Sequence, residues 1–301
     1  MTLTRIFYEI DEFCQELNQC MKNKKMLGST SNKVIRNKKS RMHLSEVLTI
    51  IILFHLSNFR NFKNYYLNYI CVYLKEAFPN LVSYSRFVEL MKGSFIPLLL
   101  YLKNRRCGKL TGISFIDSTS LKVCNNKRIL SHKVFNGVAL RGQTSMGWFY
   151  GFKLHLVVND RGELLSFVLT PGNTDDRNRE VVKKLTKKIS GKLFGDRGYI
   201  SQKLFEELLQ EGVQLVTRLR KNMKNKLMPI EDKILLRKRA IIESINDQLK
   251  NICQIEHTRH RSTHGFLVNL FSGLIAYTYF PKKPSLKLTP NEINSMRLLA
   301  C

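Results

Sequence analysis

Apolar residues recur along this chain with two different periods. Over residues 1 to about 105 the spacing is helical. Phe7, Ile10, Phe13, Cys14 and Leu17 fall at three- and four-residue steps and predict an amphipathic first helix. A basic, polar stretch from Lys22 to Arg41, with Gly28-Ser29-Thr30-Ser31-Asn32 at its centre, reads as a loop. His43-Leu44-Ser45-Glu46 then leads into the apolar run Val47 to Leu56, with Ser45 as the expected N-cap. A further helix carries Phe62, Tyr65, Tyr66, Tyr69, Ile70 and Tyr73. After a break at Pro79-Asn80, a short helix follows in Ser83-Tyr84-Ser85-Arg86-Phe87-Val88-Glu89-Leu90. Several short helices with Lys and Arg between them suit a helix-turn-helix-like DNA-binding module, or a helical bundle that only packs on the rest.

From about residue 110 the pattern changes to alternating strands and helices. Ile113 to Ile116 is a short apolar strand that ends at Asp117. Phe149 to Val158 has the aromatic and branched content of a strand, Asn159-Asp160-Arg161-Gly162 closes a hairpin, and Leu164 to Leu169 returns. Pro171-Gly172-Asn173-Thr174 ends that strand, and Asp175 or Asp176 is placed to cap a helix reaching about Ile189. A strand ending at Asp196, a helix from about Ser201 to Gln210 and a strand from Val213 to Thr217 follow. A lysine-rich loop beginning at Arg218 then precedes a helix bearing Glu243. A hairpin early and crossovers later predict an α/β fold, a mixed sheet with helices on both faces. The expected organisation is a helical N-terminal DNA-binding domain over 1–108, an α/β catalytic domain over 109–281 and a C-terminal tail over 282–301.

Charge adds the strongest constraint on partners. The chain of 301 residues carries 50 Lys plus Arg against 23 Asp plus Glu, a formal net charge of +27. A surface this basic attracts a polyanion, and nucleic acid is the commonest one inside a cell. Seven cysteines, an odd number with no Cys-x-x-Cys pair, argue against a disulfide framework and a cysteine-based zinc site, and fit a reducing compartment. The N-terminus has no apolar signal region. The apolar stretches Val47 to Leu56 and Phe266 to Phe280 are shorter than the ~20 residues a membrane span requires. His55 and Asn269 interrupt them, so both read as buried helices of a soluble, intracellular protein with no membrane partner.

Where acids are scarce, an acid at a strand end needs a reason. Asp117 and Asp196 end two predicted strands, and adjacent strand ends in an α/β sheet open onto one crevice. Two such carboxylates repel unless a cation lies between them. Mg²⁺ prefers a few carboxylate oxygens and keeps waters that substrate phosphate can replace. A pair of ions about 4 Å apart can activate a water or a 3′-hydroxyl for in-line displacement at phosphorus. Such chemistry requires acids and no nucleophilic side chain, in keeping with the absence of a Ser-His-Asp or Cys-His constellation. Taken singly, each acid has a plainer reading, as helix cap, turn former or solvated helix residue. Arg239, Glu243 and Lys250 are spaced by four and seven residues and so share a helical face, either toward metal and phosphate or as a surface ion-pair ladder. Arg218, Arg220, Lys221, Lys224 and Lys226 form a basic loop suited to phosphate, with a solvated loop as the alternative, and His260 and Arg261 are further candidates for DNA contact.

The strand followed by Asp117-Ser118-Thr119-Ser120, the block Gly151-Phe152-Lys153-Leu154-His155-Leu156-Val157-Val158-Asn159-Asp160-Arg161-Gly162, the block Pro171-Gly172-Asn173-Thr174-Asp175-Asp176 and the block Gly195-Asp196-Arg197-Gly198-Tyr199 together resemble the DDE transposases of bacterial insertion sequences, in particular insertion sequence family 982. The resemblance covers most of the chain. It implies a ribonuclease-H-like core in which Asp117, Asp196 and Glu243 are the catalytic metal ligands for Mg²⁺, with Mn²⁺ as a substitute. It also implies double-stranded DNA partners, namely terminal inverted repeats and target DNA, a homodimer when two ends are synapsed, and a bacterial, cytoplasmic, nucleoid-associated setting. The related signature around the last acid runs Tyr, two residues, Arg, three residues, Glu, six residues, Lys. This chain matches it at Arg239, Glu243 and Lys250, with Leu236 in the tyrosine position. A ribonuclease-H-like DNA nuclease of repair or junction resolution and an inactive DNA-binding descendant are the alternatives.

Three other features carry less. Cys253, His257, His260 and His264 have helix-face spacing, but Arg259 and Arg261 would crowd a zinc ion. His155 either hydrogen-bonds a carboxylate or fills the interior, and Trp148 either stacks on an unpaired base or belongs to the core.

Overall fold

The computed structural model describes residues 2–27, 40–144, 147–218, 228–290 and 292. They fall into two compact units: one of Met1–Arg106, Ile252–Ile255 and Ser262–Pro281, the other of Cys107–Asn251, Glu256–Arg261 and Lys282–Cys301.

Helices α1 (Leu3–Leu27), α2 (Leu44–Leu56), α3 (Phe62–Tyr65), α4 (Cys71–Tyr73), α5 (Tyr84–Lys92) and α6 (Phe95–Tyr101) build the first unit, with π-helical turns at Tyr66–Ile70 and Leu102–Arg106. The first helix runs through Leu27, beyond the expected loop start at Lys22, because nothing before Gly28 breaks it. In α2 the N-cap is His43 and not Ser45: the Glu46 carboxylate turns back to accept the His43 backbone N–H at 2.6 Å.

The second unit is an α/β layer. Its strands are β1 (Ile113–Cys124), β2 (Leu140–Thr144), β3 (Gly147–Asn159), β4 (Leu164–Pro171), β5 (Gly191–Gly195) and β6 (Val213–Thr217). Helix α7 (Arg179–Thr186) lies between β4 and β5, α8 (Gln202–Gln210) between β5 and β6, and α9 (Ile230–Arg237) and α10 (Ala240–Asp247) follow β6. The sheet is mixed. Antiparallel β4-β3-β1 continues into parallel β1-β5-β6, with the short β2 on the first half of β3. A mixed sheet flanked by helices is the α/β architecture expected, and it is consistent with a ribonuclease-H-like core. On one face, Ile116, Val157, Leu193, Val213 and Leu215 pack against Val181, Val182 and Leu185 of α7 and Leu204 and Leu208 of α8. The last helix, α11 (Thr263–Thr278), belongs to the first unit, where it and α1 pack against the mostly apolar α2. His55, the polar interruption of α2, is satisfied inside that unit by the Cys253 carbonyl at 2.6 Å and the Ser272 hydroxyl at 2.8 Å. Among the described residues no helix is long and apolar enough to cross a membrane.

Several local expectations change. Asp117 is the fifth residue of a twelve-residue strand and does not end it, because β1 keeps its antiparallel ladder with β3 to Cys124 after β5 has stopped. Neither Asp175 nor Asp176 caps α7; Asn178 does, accepting the Val181 N–H at 3.2 Å. The segment bearing Glu243 is two helices that break at Lys238-Arg239, and α10 then gives way to a π-helical turn at Gln248–Ile252. Residues 253–262 are not helical, which removes the helix face on which the zinc spacing depended.

The hairpin turn between β3 and β4 needs its glycine. Gly162 has φ +74°, and a Cβ there would come within 2.0 Å of the Pro284 carbonyl oxygen. Gly162→Ala is expected to lower unfolding free energy by about 2 kcal/mol, from left-handed backbone strain plus displacement of the 284 segment. Urea unfolding of the two proteins measures it.

Candidate active site

The parallel ladder between β1 and β5 sets Ile113 opposite Lys192, Ser114 opposite Leu193 and Phe115 opposite Phe194. Carried two residues further, the same offset brings Asp117 opposite Asp196, the residue at which β5 gives out. The two aspartates are therefore register neighbours on adjacent strands, although one is mid-strand and the other begins a turn.

Glu243 reaches the same place from a helix. Lys192 on β5 donates to the buried Asp232 of α9 at 2.7 Å, tying α9 to the sheet. At the break that follows, Arg239 stands as N-cap residue of α10. Its guanidinium donates to Glu243 at 2.8 Å and lies 3.9 Å from Asp117 Oδ1 and 3.9 Å from Asp196 Oδ1. One arginine thus gathers all three acids. The Arg239–Glu243 pair has the four-residue spacing of a surface ladder, but the arginine side chain is largely buried and turned into the crevice. From the next turn of α10, Asn246 donates to Asp117 Oδ2 at 3.1 Å.

Burial pushes the Asp117 carboxyl up to about 6. Arg239 and the Ser118 backbone N–H oppose the shift, while Glu243 and Asp176 add to it. Arg239 Nη1, Asn246 Oδ1 and the Tyr199 hydroxyl, from residues that act on Asp117, are buried polar atoms without a hydrogen-bond partner. Burial, then Asp176 and Asp117, hold the Tyr199 phenol well above its usual range. A cavity of about 210 Å³ opens beside this cluster, lined by Gly195, Asp196, Arg218, Leu236, Arg237, Arg239, Ala240 and Glu243. Leu236 gives it an apolar wall where the related signature has a tyrosine.

These donors fit a hard divalent cation in kind: carboxylate oxygens, with unpartnered polar atoms around them that ordered water could satisfy. Their spacing is set by the guanidinium among them, and among the described residues no three His, Cys, Asp or Glu side chains are drawn close enough to hold an ion.

The other candidates separate. Arg218 lines the cavity with Asp196 and Glu243. Lys250, carried into the π-helical turn, pairs with Glu256 at 2.9 Å and not with Glu243. His260 stacks on His257 at 3.7 Å between ring centroids and meets the edge of Phe135, and Arg261 follows it on an exposed segment. Arg220, Lys221, Lys224 and Lys226 lie outside the described residues. His155 is fully buried, its Nε2 at 2.9 Å from the Thr170 hydroxyl. Trp148 is more than half exposed at the start of β3, with the Arg141 guanidinium 5.5 Å from its ring, so it is not a core residue. Sequence reasoning missed Asn246, although it lies three residues past Glu243 on the same helix face. It also missed Lys153, whose signal is a lone charge inside an apolar strand.

Residues 107–263 match a family model described as a transposase DDE domain. No curated protein matches the chain. Among solved structures the chain is similar to piggyBac transposase in a synaptic complex with hairpin DNA, at 15% identity and a TM-score of 0.42 over 76% of this chain and 53% of that one. It is also similar to Mos1 transposase in a paired-end complex with the left transposon end, at 13% identity and a TM-score of 0.25 over 85% and 83%. The Mos1 strand transfer complex matches at 14% identity and a TM-score of 0.24 over 89% and 88%. The chain spans about half the length of the piggyBac chain it matches.

The Asp117 shift has a consequence for stability. Its folded value, about 6, lies above the 3.8 of a free aspartate, so the folded state holds the proton more tightly. Stability of the metal-free protein therefore falls as pH rises from about 4 to about 6, and the full penalty is present above that. Asp117→Asn removes the penalty. In EDTA at pH 7.5 the variant is expected to be more stable than wild type, on the order of 1–3 kcal/mol, with the gain gone below about pH 4. Urea unfolding across that range checks the sign.

Proposed function

This chain belongs to the transposase DDE domain family, and from that premise we propose that it is the transposase of an insertion sequence related to family 982. In this reading it binds the terminal inverted repeats, cleaves the element's ends and joins the freed 3′-hydroxyls to target DNA. One arrangement carries the proposal: Asp117 and Asp196 at matching register on adjacent parallel strands, with Glu243 brought to them by Arg239.

Asp117, Asp196 and Glu243 are the residues that would hold Mg²⁺, or Mn²⁺ in its place. When bound, such ions supply an activated water or 3′-hydroxyl and stabilise the leaving oxygen at phosphorus. The protein's own groups do the rest. Asn246 fixes the Asp117 carboxylate from the α10 side. Arg239 offsets carboxylate repulsion in the metal-free state, and its forked donors suit phosphate oxygens as they arrive. Arg218 presents a cation at the rim of the cavity. Arg220, Lys221 and Lys224, with Lys250, His260 and Arg261, are assigned to the DNA backbone, consistent with the net charge of +27. The helical segment 1–108 is assigned to reading the inverted repeats and the α/β part of 109–281 to catalysis, α11 within that range being part of the helical unit, with 282–301 as a tail, a homodimer at synapsis and a bacterial, nucleoid-associated setting.

The test is a strand-transfer assay with labelled element ends. Joined products that require a divalent metal are expected. Nicked products with no joined product overturn the transposase reading in favour of a nuclease. Asp196→Asn and Glu243→Gln are each expected to reduce nicking by more than the ~10–100-fold that follows loss of a mere outer-sphere partner. Unchanged nicking in either removes that residue from the site.

A further inference from the structure

The turn between β4 and α7 reads Asp175-Asp176-Arg177-Asn178, and three of the four residues are accounted for locally. Asp175 accepts from the Arg177 backbone N–H at 2.8 Å and from its guanidinium at 3.1 and 2.8 Å, and Asn178 caps α7. Asp176 turns into the sheet instead. Its Oδ1 accepts from the Ser118 hydroxyl at 2.7 Å and from Lys153 Nζ at 3.1 Å, with His155 Nδ1 at 4.0 Å. Its Oδ2 faces the other aspartate's turn, since a Cβ built on Gly198 would meet it at 3.8 Å. Asp176 therefore lies between the residue that follows Asp117 and the turn that follows Asp196.

The charges make this placement purposeful. Lys153 is mostly buried in β3 and needs a counter-ion, while His155 is held neutral, its pKa pushed down to about 4 chiefly by burial. Asp176 is that counter-ion, even though its charge also raises the proton affinity of Asp117. The repulsion this sets up toward Asp117 is offset at Asp176 itself by the Lys153 ammonium and the Ser118 hydroxyl.

What it does follows from the strand register. Ser118 pairs with His155, and Ser120 with Lys153. Alternation sets Ser118 on the face of Ile116, which packs toward α7 and α8, and sets Asp117 on the opposite face, where Asn246 meets it. By the shared offset β5 stops opposite Ile116, so from Asp117 onward β1 has no ladder on that side. At the point where lateral hydrogen bonding ends, two consecutive residues are pinned from opposite faces: Asp117 by Asn246, Ser118 by Asp176.

We propose that Asp176 is a positioning residue of the acid site: through Ser118 and Lys153 its carboxylate fixes β1 at Asp117 and so sets how tightly the site takes a divalent cation. This rests on the metal-ligand reading given above for Asp117, Asp196 and Glu243. The probe is Mn²⁺, titrated by electron paramagnetic resonance into the full chain without DNA, in wild type, Asp117→Asn, Asp176→Asn and Ser118→Ala. Asp176→Asn is expected to bind Mn²⁺ about tenfold more weakly, the scale of an outer-sphere change. Ser118→Ala, which deletes only the donor hydroxyl, is expected to weaken it in the same direction by less. A folded Asp176→Asn protein that binds Mn²⁺ as wild type does overturns the proposal, whatever its melting temperature. If Asp176→Asn does not fold, normal Mn²⁺ binding by Ser118→Ala overturns it equally. Loss of binding in Asp117→Asn alone defeats this proposal and spares the site reading; unchanged binding in Asp117→Asn defeats both.

Discussion

Like charges crowded at the end of a strand ladder govern the architecture of the second unit. Two carboxylates 4 Å apart repel by about 4 kcal/mol at an effective dielectric constant of 20, a large fraction of the stability of an ordinary domain. Here three acids, with Asp176 as a fourth nearby, share a crevice in which Asp117 is already desolvated. The Arg239 guanidinium offsets part of that repulsion, and its position is not free. It stands at the break between α9 and α10, and the Lys192–Asp232 pair ties the preceding helix α9 to β5. The apolar packing of α7 and α8 holds the opposite face rigid, so repulsion cannot be relieved by the strands drifting apart.

The same crowding reconciles a strongly basic chain with an acid-lined crevice. Fifty Lys and Arg residues set the overall charge, while in the crevice Asp117 is mostly covered, Asp196 and Glu243 stay open to solvent, and a single arginine stands among the three. Long-range attraction and local chemistry are thus assigned to different residues.

Much of the β-sheet could be read from the sequence because its strands are branched, apolar runs between strong turn signals. Val213–Thr217 and the β3–β4 hairpin with its Asn159-to-Gly162 turn are of this kind. β2 escaped notice because Leu-Arg-Gly-Gln-Thr lacks alternation and holds its place only through β3. In a run of Asp-Asp-Arg-Asn, each of three side chains could cap a helix, and the sheet's claim on Asp176 decides that Asn178 does so. Asp117 and Asp196 come opposite each other through the β1–β5 register and not as two strand ends, since β1 runs on past Asp117. Lys250 was not placed by periodicity, because a π-helical turn adds a residue to the spiral and hands the ammonium to Glu256, a partner beyond the helix.

The overhang of β1 beyond β5 has a further consequence, for solubility. A strand that outlasts its neighbour leaves backbone N–H and C=O groups able to template pairing with another chain. On the flank that β5 has vacated, the Lys122 backbone N–H donates to the Glu256 carboxylate at 3.3 Å, and Glu256 is itself bound by Lys250. A charged pair therefore stands where an intruding strand would dock, which guards that stretch of the edge against strand pairing.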